Sequence, residues 1–131
     1  MLAGASAPAF AEASVFACQP DRRIEGGTAA DLSAADKSSG LGHFLIAYDA
    51  AAGKGCLVDE GSATCQAEAW RAAAMGGGVT IRLARGPAES EEVLVISPET
   101  GRFRRTGTAE WRGGDRACTA VTGLAIAFPA G

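Results

Sequence analysis

A basic excess is missing from this sequence. Twelve lysines and arginines against fifteen acidic residues leave a formal charge of -3, which excludes a general nucleic-acid binder, because such domains carry a net positive surface. Histidine is almost absent as well. His43 is the only one, and no serine or cysteine nucleophile motif stands beside it. No C-x-x-C pair exists, so a zinc site is not expected. The stretch "AGKGC" has neither the spacing nor the Ser/Thr of a phosphate loop. Asp49, Asp59 and Glu60 lack the alternating spacing of a calcium loop. They could in principle do acid/base work across a hairpin, but such acids are common near turns. The sequence therefore predicts neither an enzyme nor a metal or cofactor protein. No apolar run is long enough to cross a bilayer, so no transmembrane segment is expected.

What is present is a chain of 131 residues with 18 glycines and 47% hydrophobic residues. That length supports one domain with one modest core, and that composition is globular and rich in turns. The start, "MLAGASAPAFAEASVFAC", runs apolar from Leu2 to Phe10 and places Ala9 and Ala11 as an A-x-A cleavage site. This is expected to be the remnant of a secretory signal peptide, residues 1–11, ahead of a single secreted domain, residues 12–131. A lipidated Cys18 in "VFAC" is the lesser alternative. Cys18, Cys56, Cys65 and Cys118 fit an oxidising compartment, periplasmic or extracellular. Three connectivities are open; the expected one pairs Cys56 with Cys65 and Cys18 with Cys118.

Hydrophobic residues recur mostly with period two. "SVFAC" and "HFLIAYD" read as strands, the second with both faces apolar and hence buried. Gln19 to Gly42 reads as a long polar loop with one helical turn near Leu32 to Asp36. "AGKGC" reads as a hairpin turn into "CLVDE". The alanine-rich "TCQAEAWRAAAM", Thr64 to Met75, is predicted to be a helix capped by Thr64 and ended by Gly76 to Gly78. Four further strands, "VTIRLAR", "EEVLVIS", "GRFRRTGTAEW" and "CTAVTGLAIAF", follow with short turn-forming connectors. The expected fold is mainly β: about six or seven strands in a small antiparallel β-barrel or sandwich, with a C-terminal meander and one short helix.

Five arginines crowd into "ETGRFRRTGTAEWRGGDRA". On a single strand, Arg102, Arg104, Thr106, Thr108, Glu110 and Arg112 share one face, while Phe103, Gly107, Ala109 and Trp111 share the other. Arg105 falls on the apolar side, which predicts a bulge or a rim position. The outer face is either solvated surface or a binding surface for an acidic partner, for which the planar guanidinium fork is suited.

Thr100-Gly101-Arg102-Phe103 followed by Trp111-Arg112-Gly113-Gly114-Asp115-Arg116-Ala117 resembles the paired motifs of the bacterial membrane-bound or periplasmic inhibitors of c-type lysozyme. Thr100 stands where that family has serine, Phe103 comes one residue early for its aromatic, and Gly113 occupies the lysine position. The resemblance implies a small exported barrel that occludes the lysozyme cleft. It makes Thr100, Gly101, Arg102, Phe103, Arg104, Arg112 and Arg116 the expected partner-binding residues, with Arg112 or Arg116 meeting an acidic group. The expected partner is a c-type lysozyme, or another acidic protein or glycan. The alternative is an envelope-associated structural module whose arginines meet anionic glycan or lipid.

Overall fold

Strands dominate the computed structural model, which describes residues 13–129. The expected signal-peptide remnant lies outside them. In chain order the elements are β1 (Ser14–Cys18), β2 (Arg22–Glu25), β3 (Thr28–Asp31), α1 (Ala34–Ser38), β4 (Phe44–Asp49), β5 (Lys54–Asp59) and β6 (Thr64–Cys65). There follow β7 (Trp70–Met75), β8 (Thr80–Arg85), β9 (Glu92–Ser97), β10 (Arg102–Thr106), β11 (Glu110–Gly113) and β12 (Cys118–Ala120). They form one sheet in the order β12-β1-β4-β5-β7-β8-β9-β10-β11-β2-β3, with β6 paired on β5 off this path. Every pairing is antiparallel.

The two ends of that path meet. Gln19 N–H donates to the Ala117 carbonyl at 2.9 Å and Asp21 N–H to the Arg112 carbonyl at 2.8 Å. The β1–β2 length of chain thus runs beside the β11–β12 length, and the sheet curls into a barrel-like wall. Its interior is filled from all sides by Phe16, Phe44, Ile46, Leu57, Trp70, Leu83, Leu94, Ile96 and Phe103. Phe44 and Phe103 meet edge to face with centroids 5.2 Å apart, a geometry favoured by the ring quadrupoles. A smaller cluster of Val15, Ala47, Cys56, Val58 and Ile126 covers the outside of β1, β4 and β5, with Leu124 and Phe128 of the C-terminal tail packed on it.

Mainly β architecture with one short α-helix is therefore what the chain adopts, and both expected disulfides, Cys18–Cys118 and Cys56–Cys65, are formed. They indicate an oxidising environment. No helix among the described residues is long and apolar enough to cross a membrane.

Four sequence readings are corrected. Thr64 to Met75 is not a helix: Thr64–Cys65 pairs with β5, and Trp70–Met75 is a full strand paired with β8. Alternation decides the outcome, because Trp70 and Ala72 face the core while Arg71 and Ala73 face out, and intrinsic alanine propensity is a weaker force than that burial. The Cys56–Cys65 bridge and the bond from Gln66 N–H to the Leu57 carbonyl at 2.8 Å further tie this segment to the sheet. The helix that does form is α1, where Ser33 and Asp36 make a reciprocal capping box. Gln19 to Gly42 is not one long loop; it contains the β2–β3 hairpin, closed by Gly26 and Gly27, both at positive φ. "GRFRRTGTAEW" is two strands, β10 and β11, rather than one. Of "CTAVTGLAIAF" only Cys118–Ala120 is strand, so the total exceeds six or seven. Residues paired across the β10–β11 hairpin keep matching parity, so the inner and outer faces assigned for a single strand survive the fold. The ladder runs without a bulge through Arg104 and Arg105, leaving Arg105 at the rim.

Candidate functional site

The Thr100–Gly101 turn joins β9 to β10 and packs against residues 114–118. Arg116 N–H donates to the Thr100 carbonyl at 2.7 Å, and Cys118 N–H to the Gly101 carbonyl at 2.8 Å. Gly101 has φ +76, and a Cβ there would lie 2.5 Å from the Cys118 carbonyl oxygen. Only glycine admits so close a backbone approach. Below it, Gly113 touches the Phe103 ring, where a Cβ would come within 2.4 Å. The Cys18–Cys118 bridge fixes the far side of the same turn.

Charge holds the outer part of the junction. Arg102 Nε donates to Asp115 Oδ1 at 2.6 Å. This bond, with the attraction of the guanidinium, keeps the Asp115 carboxyl below the ordinary aspartate range and raises Arg102. Gly114 N–H donates to Asp21 Oδ2 at 2.8 Å, and Lys37 Nζ lies 3.0 Å from Asp21 Oδ1. The Gly114 bond is the main reason the Asp21 carboxyl is lowered, against partial burial and with help from Lys37. Arg116 sits in the left-handed region at φ 63, a conformation that costs a non-glycine residue about 1 kcal/mol.

The fold thus brings the two motif segments together and divides their residues by exposure. Thr100, Arg102 and Arg116 are exposed at the turn. Gly101 is buried, and Phe103 is 4% exposed inside the barrel, where it supports β10 and presents nothing to a partner. Arg104 and Arg112 stand opposite each other on the outer wall. Arg112 is exposed and pairs there with Glu110, one residue from the inward Trp111.

A second polar region, missed in the sequence, occupies the Thr106 end of β10. Glu92 bridges two arginines, accepting from Arg85 Nε at 2.8 Å and Arg105 Nε at 2.5 Å. Arg85 lies over the Trp70 ring, Arg105 over Phe44 and Arg23 over Trp111, with centroid distances of 5.1, 4.9 and 4.9 Å. Arg85, Glu92, Arg105 and Trp111 line an open cleft of about 920 Å³ with His43 and Thr108. The Trp111 ring is already covered, by Arg23 and by Gly42, where a Cβ would sit 2.8 Å away. The sequence signal was the inward parity of Arg85, Glu92 and Arg105 on apolar strands. His43 Nδ1 pairs with Glu60 at 3.0 Å without a nucleophile in the pairing. Among the described residues no three His, Cys, Asp or Glu side chains converge as metal ligands.

Comparison with known proteins finds no family model, curated protein or solved structure that matches this chain.

Proposed function

We propose that this is an exported, non-catalytic binding protein of the periplasm or extracellular space that inhibits a c-type lysozyme by occluding its cleft. The observation that carries the reading is the clamp between the Thr100–Gly101 turn and the Asp115–Arg116 turn. It joins the turns at either end of the β10–β11 hairpin into one hydrogen-bonded unit, with Thr100, Arg102 and Arg116 on its surface. Preorganised loops of this kind lose little entropy on binding. The left-handed Arg116 supports the reading too, since such backbone strain clusters at functional positions. In this mechanism the Thr100 turn enters the substrate cleft, and Arg116 offers its planar fork to a carboxylate there. Phe103 and Gly113 act from beneath, holding the turn at its height.

The test is a titration of oxidised protein beginning at Glu12 against a c-type lysozyme, read as cell-wall lysis at low and moderate salt. Stoichiometric inhibition is expected, with Arg116→Ala weakening it about tenfold, as loss of one charge-assisted pair would. Full lysis at a micromolar excess of the protein would overturn the proposal.

A further inference from the structure

The outer wall carries a feature independent of that turn. Register pairs Arg104 with Arg112 across β10 and β11, and Arg112 with Arg22 across β11 and β2. Three exposed arginines therefore stand side by side across three strands, at intervals of about 4.8 Å set by the strand spacing. Like charges directly opposite one another weaken a sheet. The flanking acids align this row rather than consume it. Arg22 Nε donates to Asp31 and Arg112 Nε to Glu110, and each of these guanidiniums meets a single carboxylate among the described residues, fewer acceptors than its N–H donors can serve. Arg104 pairs with none of the described carboxylates.

From this ladder we infer that the barrel wall binds a linear acidic polysaccharide, laid across the strands, with successive carboxylates on the exposed guanidinium forks of Arg104, Arg112 and Arg22. Evenly spaced forks match a polymer that repeats its carboxylate, and the bidentate geometry favours carboxylate recognition. Other anionic surfaces fit less well. The exposed large apolar residues Leu41, Met75 and Val79 lie outside the three strands of the row, so nothing beside it inserts into lipid. Phe103 and Trp111, the aromatics of β10 and β11, face inward, which leaves no platform for stacked bases.

This inference goes beyond lysozyme binding and does not rest on it. It is tested by calorimetric titration with a polygalacturonate oligomer at low ionic strength, with neutral dextran as control. Saturable binding is expected, weakening as salt is added. Arg22→Ala and Arg104→Ala are each expected to lower affinity about tenfold, and Arg104→Lys to lower it about threefold by removing the fork. Arg116→Ala should leave polygalacturonate affinity unchanged, and Arg22→Ala should leave lysozyme inhibition unchanged, so failure of either reading is visible separately. Absence of binding at low salt, unaltered affinity in both alanine variants, or equal affinity for anionic phospholipid vesicles or single-stranded DNA would overturn it.

Discussion

Arg104 and Arg105 are neighbours in the chain, and so are Arg22 and Arg23, yet each pair is split between two surroundings. Arg23 and Arg105 turn inward onto the Trp111 and Phe44 rings, and Arg105 joins Arg85 in a layer organised around Glu92 at the barrel mouth. Arg22 and Arg104 turn outward onto the exposed wall, Arg22 paired with Asp31 alone and Arg104 with none of the described carboxylates. One residue of shift on a strand therefore separates an arginine that holds the fold from one that is available to a ligand. Composition counts the two kinds alike; only parity distinguishes them.

The largest way to break this contrast is at Glu92. Its side chain and that of Arg105 are 18% and 21% exposed, so removing the carboxylate leaves two poorly solvated guanidiniums facing each other. Glu92→Gln is expected to lower unfolding free energy in urea by about 2 kcal/mol, below the range for fully buried pairs because some water reaches the site. The wall pair supplies the comparison. Asp31→Asn, which breaks the pair with Arg22, is expected to change stability by less than about 0.5 kcal/mol, since both partners are largely in water. Equal losses would show that the mouth layer is not structural in the sense argued above.

Adjacent glycines sharpen the same inner and outer distinction without charge. A Cβ on Gly113 would lie 2.3 Å from Ala117 Cβ and 2.4 Å from the Phe103 ring, whereas on Gly114 the nearest atom is Asp21 Oδ2 at 3.6 Å. Gly113→Ala should therefore cost about 1–3 kcal/mol through overpacking, read as a lowered urea midpoint with unchanged slope. Gly114→Ala should cost well under 1 kcal/mol. The experiment also bears on function, because Gly113 sets the height of the Thr100 turn: lysozyme inhibition should fall with Gly113→Ala before it falls with Gly114→Ala.

Much of this was legible from period two and from cysteine count. The strands of "SVFAC", "HFLIAYD", "VTIRLAR" and "EEVLVIS", both disulfides, and the facing of Arg102 and Arg104 away from Phe103 all follow from local pattern. The readings that failed did so where local pattern and tertiary burial disagree. Ala72 to Ala74 suit a helix by propensity, but Trp70 is paired with Gly55 of β5 and buried to 2% exposure as an inward strand residue. In Gln19 to Gly42 the Gly26–Gly27 turn was a hairpin signal hidden in a polar stretch, and missing it concealed Arg22, the third member of the wall row. The mouth layer was out of reach for another reason: joining Arg85, Glu92 and Arg105 to Trp70 and Phe44 needs the curl of the sheet, which no single segment encodes.

The smallest expected effect tests the outer charges by pH. Asp21, Glu91 and Asp115 all have folded carboxyls held below their ordinary range: Asp21 chiefly by the Gly114 N–H, Glu91 by Arg82 and then Arg71, and Asp115 by Arg102. Since the folded form holds its protons less tightly than the unfolded chain, their contribution is present above the unfolded values. It is lost as pH falls through the ordinary carboxylate range near about 4 and below. Stability measured in urea should therefore decline on the acid side. Asp21→Asn should flatten that decline more than Asp115→Asn, because Asp115 is more exposed and salt-screened. Added salt should then diminish the Asp115 part while leaving the Asp21 part, whose main support is a backbone N–H rather than a charge. Equal flattening by the two variants, equally sensitive to salt, would mean that the turn is held by surface charge alone and that its rigid backbone clamp has been overrated.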